Sequence, residues 1–278
     1  MMSELNQKTY MLTLDLGSSG LKTAIISDQG DVVAHTYEPY GYILLPDGGA
    51  EQDAQLWWQL CLESSKRVIA DAGVPKDRIV GICCDSQYFL TIPVNEHAEP
   101  LMNCISWRDT RGGKYNRKMM KGFPAVQGMS IRKLMKFIRY TGVAPTNVGA
   151  DALAHMLFVK HELPDIYNKT HKFLEPVDYL TSRLTGRITA SQHTALTMML
   201  TSNRNWGDRE YCESLLKMSG IDLEKLPELL PSDGIVGNIT PAVAQELGLS
   251  TETQVICGMY DNQAAISGAG IVDLQQGL

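Results

Sequence analysis

An aspartate near the end of the chain stands where an apolar strand would deliver it to the start of a helix. Asp261 follows the stretch TQVICGM and precedes small residues that include Ala264 and Ala265. A carboxylate at such a junction commonly caps the helix. It can also act as a general base toward a hydroxyl group, with Asn262 orienting the substrate. The segment alone leaves both interpretations open.

A second candidate for chemistry is the segment DLGSSGLK at 15–22. Small residues let backbone N–H groups approach a phosphate closely, and the two serine hydroxyls add donors. Asp15 could hold a magnesium ion at the end of a strand, and the Lys22 ammonium could face phosphate charge. The segment is not a Walker A sequence, which needs GxxxxGK[ST] before a helix. A plain Gly-Ser hairpin turn is the alternative interpretation.

The third candidate is the segment ISWRDTR at 105–111. Trp107 offers an apolar face for sugar C–H groups, while Asp109 and a nearby guanidinium can hydrogen-bond hydroxyl groups. A packed tryptophan beside a surface ion pair explains the same residues equally well.

Three short apolar stretches must position the first of these segments. They read TYMLTLDLG, LKTAIISD and VVAHTYE, and their close spacing predicts an antiparallel meander of strands. Asp53 then predicts the cap of a helix that ends at Gly73, and RIVGICC predicts a strand covered on both faces. This order of elements predicts an α/β fold on a mixed sheet rather than a dinucleotide-binding unit.

The second half of the chain is predicted to be mainly helical. One helix is expected to stop before Pro164 and another near Gly186, while DREYCESLLKMSG predicts a third that ends at Gly220. Thr240 is expected to cap a fourth helix that begins with Pro241. The strand TQVICGM then leads into DNQAAISGAG, which carries Asp261.

The charge of the chain gives no general attraction to nucleic acid or to an anionic membrane. Its 25 Lys and Arg residues against 31 Asp and Glu residues leave a formal charge of −6. The basic stretch from about 109 to 145 predicts helices with Lys and Arg in solvent and Met, Leu, Phe and Ile inside. A nucleic-acid groove is the remote alternative there.

Six widely scattered cysteines indicate neither a disulfide framework nor a metal cluster. The adjacent pair Cys83 and Cys84 is interpreted as two strand residues that point to opposite faces. The sequence shows no signal peptide and no apolar stretch of membrane-spanning length. We therefore expect a cytoplasmic protein.

Taken in order, five segments resemble the N-terminal domain of the FGGY carbohydrate kinases over essentially the whole chain. DLGSSGLK is similar to the family's DxGTxSxK, and EQDAQLWW at 51–58 to EQDPxxWW, with Ala54 where proline is usual. WRDTR at 107–111 fits WxDxR, and DYLTSRLTG at 178–186 fits DYLxxRLTG. The segment from 258 to 270 resembles GGxDxxAAxxGxG, which carries the family's catalytic aspartate.

The resemblance implies an actin-like, ribonuclease-H-like α/β domain, with a mixed sheet and an antiparallel N-terminal meander flanked by helices. It implies a sugar in a cleft that faces a second, similar domain, which holds most of the ATP. By position, Asp261 becomes the general base and Asp15 a magnesium or phosphate-site residue. The implied phosphate-facing turn comprises Gly17, Ser18, Ser19 and Lys22, and the implied sugar-binding residues are Ser86, Gln87, Trp107, Asp109 and Asn262.

The segment GICCDSQY at 81–88 departs from the family pattern. Xylulokinase-like members tend to read GISGQMHG there, so Ser86 and Gln87 stand where sugar-contacting Met and His would be. Glycerol kinases carry Arg-Glu at these positions. The chain matches neither subgroup, which leaves the substrate open among pentuloses, hexuloses, polyols and sugar acids.

The resemblance also predicts the domain organisation. We expect residues 1–270 to form the sugar-binding domain and 271–278 to begin the connection to an ATP-binding domain absent from this chain. The expected reaction is the phosphorylation of a sugar or polyol hydroxyl by ATP with Mg²⁺, and the chain alone is expected to be inactive. A homodimer is left open.

Two functions from other classes remain as alternatives. One is a non-enzymatic sensor of sugar or nucleotide on the same actin-like scaffold, and the other is an actin-like filament subunit. The combination of Asp261 and Asn262 with Trp107 and Asp109 favours the enzyme, because a sensor has no need of a base in its cleft.

Overall fold

The computed structural model describes residues 8–205 and 207–270. The domain connection predicted at 271–278 lies outside the described residues. In chain order the strands are β1 (Tyr10–Leu16), β2 (Gly20–Ser27), β3 (Val32–Pro39), β4 (Ile43–Leu44), β5 (Ala50–Gln52), β6 (Ile79–Ser86), β7 (Ile92–Val94), β8 (Cys104–Ile105), β9 (Ala125–Val126), β10 (Met129–Ser130), β11 (Lys172–Leu174), β12 (Thr189–Ser191), β13 (Glu228–Leu230), β14 (Ile235–Asn238), β15 (Gln254–Ile256) and β16 (Met259–Tyr260).

Helices pack around these strands. In chain order they are α1 (Ala54–Ala72), α2 (Gly113–Met120), α3 (Ile131–Thr141), α4 (Ala152–Glu162), α5 (Pro164–Lys169), α6 (Pro176–Thr185), α7 (Glu213–Ser219), α8 (Pro241–Leu247) and α9 (Asp261–Gly268). Short 3₁₀ helices form at Lys76–Arg78, Thr194–Met198 and Leu223–Lys225.

The main sheet is mixed, as the sequence predicts, and within the described residues it has seven strands. Its order is β14-β15-β6-β1-β2-β3, and β16 also pairs with β6. Strands β1, β2 and β3 form the predicted antiparallel meander, whereas β1, β15 and β16 each run parallel to β6. The parallel strands therefore end at one common edge of the sheet.

The first hydrophobic core lies between this sheet and α1. Alternate residues of β1 are buried, among them Leu12, Leu14 and Leu16. Helix α1 begins at the predicted cap, where the Asp53 carboxylate accepts the N–H groups of Gln55 and Leu56 at 2.8 and 3.0 Å. Together the cap and the core fix the positions of the C-terminal ends of β5 and β1.

A second core gathers α3, α4 and α7, with residues such as Phe137, Leu157 and Leu215 at its centre. The basic stretch forms helices there, and most of its Lys and Arg residues are exposed, as predicted. Ile131, Met135 and Ile138 nevertheless face solvent on α3. The prediction that the apolar residues point inward is wrong for these three, because α3 carries apolar residues on two faces and only one packs.

The predicted helix ends are confirmed at Gly186 and Gly220, which adopt the left-handed conformation that glycine tolerates best. The start of the third predicted helix is wrong, since α7 begins only at Glu213. Tertiary contacts hold the preceding residues extended. Tyr211 pairs with Thr201 and its hydroxyl donates to a backbone carbonyl, so local helix propensity is overridden.

Thr240 caps α8, accepting the N–H of Val243 at 3.2 Å, and Pro241 is its first residue, as predicted. All six cysteines are free, and Cys84 is buried while Cys83 is partly exposed on the other face of β6. Across residues 8–205 and 207–270, no helix is both long and apolar enough to cross a bilayer.

Gly258 is the residue on which the position of β16 depends. A Cβ atom there would lie 2.0 Å from Val177 Cγ2 and 3.0 Å from the Cys84 carbonyl oxygen. Both neighbours are buried, one in α6 and one in the backbone of β6. Only a residue without a side chain allows β16 to approach β6 this closely.

We predict that Gly258→Ala lowers the free energy of unfolding by about 1–3 kcal/mol, the usual cost of overpacking a filled core. Gly268→Ala is the matched control, because a Cβ atom there has open space and alanine favours a helix. Urea denaturation of the 278-residue chain measures both. Equal midpoints for the two variants would contradict the tight packing at Gly258.

Candidate active site

Three carboxylates meet where the parallel strands end. Asp15 of β1 stands opposite Asp85 of β6, and Asp85 in turn stands opposite Met259 of β16. Asp261 follows two residues after Met259 as the first residue of α9. The sheet register thus brings the first and second sequence candidates, the segments of Asp261 and Asp15, together at one edge, as expected for the ligand-binding side of a parallel sheet.

The electrostatics of this edge follow from the crowding of negative charge. Lys22 on β2 donates to Asp15 Oδ2 at 2.6 Å, and this bond is the main cause that raises the pKa of Lys22. Burial, followed by the neighbouring Asp15 carboxylate, raises the pKa of Asp85 to about 7. Burial also raises the pKa of Asp261, and the Asp15 carboxylate raises it further.

The turn between β1 and β2 is held from behind through its carbonyl groups. The carbonyl oxygen of Gly17 accepts the Tyr40 hydroxyl, and that of Ser19 accepts the Tyr37 hydroxyl at 2.9 Å. The Ser18 carbonyl oxygen accepts a side-chain amide at 3.0 Å. Within the described part of the chain, the backbone N–H groups of Ser18 and Ser19 have no acceptor. The turn therefore presents donors outward, as anion binding requires.

A pocket of about 390 Å³ opens beside this turn. Four of the predicted site residues contribute to it: Ser18 of the turn, Gln87, Trp107 and Asp261. Trp107 is 44% exposed, so its ring is available to a ligand. The complete lining is Ser18, Gln87, Tyr88, Phe89, Trp107, Ala150 and Asp261.

Gln87 is held rigidly at the wall of the pocket. Its N–H donates to the Leu16 carbonyl at 3.0 Å, and its carbonyl accepts the Ser86 hydroxyl at 2.7 Å. Ser86 itself is fully buried and does not line the pocket, so the structure gives it a supporting position behind Gln87.

Asp109 lies away from the pocket in a buried ion cluster. Arg111 donates to it at 2.9 Å and to Glu51 at 2.6 Å, and the backbone N–H groups of Ala50 and Arg111 donate to it as well. Both carboxylate oxygens are engaged, and the residue is 0% exposed. The cluster fixes β5 to the segment that carries Trp107.

Asp261 does not occupy the capping position of α9, because the N-cap residue is Tyr260. Its Oδ1 accepts the Asn262 N–H at 2.6 Å. The side chain of Asn262 is exposed and lies outside the pocket lining. The structure therefore brings Asp261 to the pocket and leaves Asn262 beside it.

Three lining residues were missed by the motifs: Tyr88, Phe89 and Ala150. Phe89 adopts a φ of 61°, which is uncommon for a residue with a side chain and frequent at ligand sites. The two aromatic residues follow the end of the buried strand β6, and that position was a usable signal. Nothing in the sequence singles out Ala150, which the capping residue Asp151 holds in place.

Buried acids lie behind the pocket and connect its walls. Glu175 accepts the Leu90 N–H at 3.0 Å, next to the aromatic lining residues. Its other oxygen contacts the Thr197 hydroxyl, which lies 2.8 Å from the hydroxyl of Tyr260. Burial raises the pKa of Glu175 well above its usual range. One buried carboxyl group thus ties the turn after β6 to the residue before Asp261.

No group of three or more His, Cys, Asp or Glu side chains in the described ranges is arranged to hold a metal ion by itself. The role of Asp15 as a single magnesium ligand stays a prediction. Magnesium usually binds in this way, through one or two carboxylates together with phosphate oxygens and water.

We predict from the buried acids that Asp178→Asn changes how stability depends on pH. Burial raises the pKa of Asp178 from 3.8 to about 8. The folded state therefore holds this proton more tightly than the unfolded chain, and the stabilisation is lost as the pH rises from about 4 to about 8. Asparagine keeps an acceptor for the Thr194 hydroxyl and has no proton to lose.

The variant should therefore gain roughly 2–5 kcal/mol over the unmodified chain between pH 4 and pH 8. Urea denaturation at several pH values measures this difference. Asp71→Asn, the same change at an exposed position of α1, is the control, and its effect on stability should depend much less on pH. An equally small dependence for Asp178→Asn would contradict the raised pKa of its buried carboxyl group.

Comparisons with known proteins show the family and the fold of the chain. The profile of the FGGY family of carbohydrate kinases, N-terminal domain, matches residues 10–268. A xylulose kinase of Bacillus subtilis is 30% identical over 264 residues, which cover 95% of this chain and 50% of the relative. A gluconokinase of the same organism is 27% identical, over 97% of this chain and 49% of its own length.

The crystal structure of a xylulose kinase from Rhodospirillum rubrum superposes with a TM-score of 0.83 at 21% identity. The match covers 95% of this chain and 51% of that structure. The predicted actin-like α/β fold is thereby confirmed. The chain spans about half the length of the relatives that it matches.

Proposed function

The chain belongs to the FGGY family of carbohydrate kinases, and on that premise we propose that it binds a sugar or polyol and supplies the general base for its phosphorylation by ATP. One observation carries the proposal. Asp261, Gln87, Trp107 and the turn residue Ser18 line one pocket. A substrate hydroxyl bound in that pocket would lie near the Asp261 carboxylate, and Ser18 brings the proposed phosphate-binding turn to the same pocket.

In the proposed reaction, Asp261 accepts the proton of the substrate hydroxyl. The oxygen of that hydroxyl forms the new bond to phosphorus. The bond from phosphorus to the leaving oxygen of ATP breaks in the same step, and ADP departs. Such transfer passes through a loose transition state, so alignment and charge stabilisation contribute more than covalent chemistry. The Asn262 N–H orients the carboxylate through its bond to Oδ1.

The phosphate side of the proposed site consists of the turn and its two charged neighbours. The free N–H groups of Ser18 and Ser19, with Gly17 allowing close approach, would bind phosphoryl oxygens, and Lys22 would face their charge. Asp15 is the proposed carboxylate for Mg²⁺, which when bound neutralises charge on the phosphates. Lys22 would then exchange its bond with Asp15 for one with the phosphoryl group.

The sugar side consists of Trp107 and Gln87. The indole face would pack on C–H groups, and the amide would hydrogen-bond a hydroxyl. Two relatives are named a xylulose kinase and a gluconokinase, so ketoses and sugar acids are the substrates that we propose to test first. We assign most contacts with the adenosine of ATP to the half of the relatives that this chain does not match. The cytoplasmic location and a homodimer stay predictions.

We predict that Asp261→Asn lowers kcat by about 10²–10⁴-fold, the usual contribution of a general base. The assay is sugar-dependent formation of ADP, in a protein that joins these residues to a nucleotide-binding half. Asparagine retains the shape and an acceptor for the Asn262 N–H, so the fold should survive. Asp71→Asn, the same change at an exposed site, should leave kcat unchanged.

The pH profile gives an independent check on the same residue. Because burial raises the pKa of Asp261, kcat should fall on the acid side at a higher pH than an ordinary carboxylate would cause. A near-normal kcat for Asp261→Asn, with sugar binding retained, would instead favour a sensor or a different base such as Asp85.

We predict that Gln87→His changes the order of preference in a panel of ketoses, polyols and sugar acids. A pocket built to hydrogen-bond a given hydroxyl rejects analogues that leave its polar groups unpaired. Thermal shift of the 278-residue chain with each ligand measures the order. Gln59→Met on the exposed face of α1 is the control, and an unaltered order for Gln87→His would remove this residue from the sugar site.

A further inference from the structure

Two buried glutamines connect the sugar side of the pocket to the turn between β1 and β2. Gln87 Nε2 donates to Gln52 Oε1 at 2.8 Å, and Gln52 Nε2 donates to the Ser18 carbonyl oxygen at 3.0 Å. Gln52 is 0% exposed and Gln87 is 3% exposed. Gln87 Oε1 has no hydrogen-bond partner among the described residues, although Gln87 lines the pocket.

The direction of this chain of bonds is fixed by its last member. A backbone carbonyl only accepts hydrogen bonds, so Gln52 must turn its NH₂ group toward Ser18. Gln52 Oε1 must then face Gln87, and Gln87 must donate a hydrogen bond to it. Gln87 therefore gives its NH₂ group to Gln52, and its Oε1 is left as a buried acceptor without a partner in a residue that lines the pocket. Turning either amide over would place two acceptors or two donors against each other.

The backbone of Gln87 is also held in place by hydrogen bonds. The N–H of Gln87 is bonded to Leu16 in β1, and its carbonyl is bonded to the Ser86 hydroxyl. The side chain is therefore anchored at its base by two hydrogen bonds and at its tip by Gln52. An acceptor held in this way is preorganised for a donor from a ligand.

We propose that Gln52 is a positioning residue, which orients the amide of Gln87 so that the pocket accepts a hydrogen bond from a substrate hydroxyl at one position. The inference rests on the proposed function and goes beyond it in two respects. It assigns a role to Gln52, which does not touch the ligand. It also specifies that Gln87 accepts, and the substrate hydroxyl donates, the hydrogen bond between them.

The polarity has a chemical consequence for the substrate. A ligand that offers a hydroxyl proton to Gln87 Oε1 satisfies a buried acceptor that is otherwise unpaired. A deoxy analogue leaves that acceptor buried without a partner, and a deoxyfluoro analogue brings a second acceptor to it. Both analogues should bind at least about 10-fold more weakly than the parent ligand.

The first test measures the orientation without any ligand. In the ¹⁵N,¹³C-labelled and deuterated chain, scalar couplings across hydrogen bonds should join Gln87 Nε2 to the Gln52 side-chain carbonyl and Gln52 Nε2 to the Ser18 carbonyl. Couplings in the opposite direction, or a Gln52 NH₂ group that exchanges rapidly with solvent, would overturn the proposal.

The second test uses binding by titration calorimetry, with D-xylulose and D-gluconate as probes and their single deoxy and deoxyfluoro analogues. In the unmodified chain, there should be one hydroxyl of the bound probe whose replacement by hydrogen or by fluorine weakens binding in both cases. Gln52→Met should reduce that discrimination to less than about 3-fold while changing the affinity for the deoxy analogue by no more than about 3-fold. Gln59→Met is the matched control and should retain the full discrimination.

A merely structural role for Gln52 would weaken the parent ligand and the deoxy analogue equally, and that result would overturn the proposal. A position that rejects the deoxy analogue but accepts the fluoro analogue would also overturn it, since the amide would then be donating. Should neither probe nor a wider panel of sugars and polyols bind, the proposed function fails, while the couplings still decide the orientation of the two amides.

Discussion

The pairing of β1 and β16 with β6 is the constraint on which the site depends. Parallel strands end at the same edge, and this register places Asp15 beside Asp85 and delivers Asp261 next to them. Crowding like charges costs free energy, and two devices reduce the cost here. Lys22 pairs with Asp15, and the pKa of Asp85 rises to about 7, so that this edge need not carry three full negative charges. A phosphate would compete with Asp15 for the Lys22 ammonium group.

The sheet alone does not hold the walls of the pocket, which are loops after strand ends. Buried polar groups do this instead. Glu175 binds the backbone after the aromatic lining residues and reaches Tyr260 through Thr197, and the Asp109–Arg111 cluster fixes the segment of Trp107. Such groups are expensive to bury unless each is paired, so they favour one arrangement of the loops over others. Their value is geometric, because removing one partner would leave the other buried and unpaired.

Local patterns predicted the elements well and the orientation of side chains less well. The meander, the Asp53 and Thr240 caps and the junction at Asp261 all depend on neighbours in sequence, and the structure has each of them. Asp109 and Ser86 are different, since a motif shows that a polar residue is present but not which way it points. Each has a partner close in sequence, Arg111 for Asp109 and the Gln87 carbonyl for Ser86. Their burial depends on distant residues instead, since Ala50 and Glu51 of β5 enclose the Asp109 cluster and β1 and β16 flank Ser86. Ala150 enters the pocket only because a distant loop passes there.

The glutamine pair shows how an uncharged chain of hydrogen bonds can join two sites that must act together. A carboxylate in place of Gln52 would lie against the Ser18 carbonyl oxygen, and an ammonium would oppose the NH₂ group of Gln87. The Gln52 amide offers one donor group and one acceptor group in the required order. Two hydrogen bonds between uncharged groups then fix the position of the turn that would bind phosphate relative to the amide that would bind sugar. In a reaction governed by alignment, fixing that register before the substrates arrive reduces the entropy that binding must overcome.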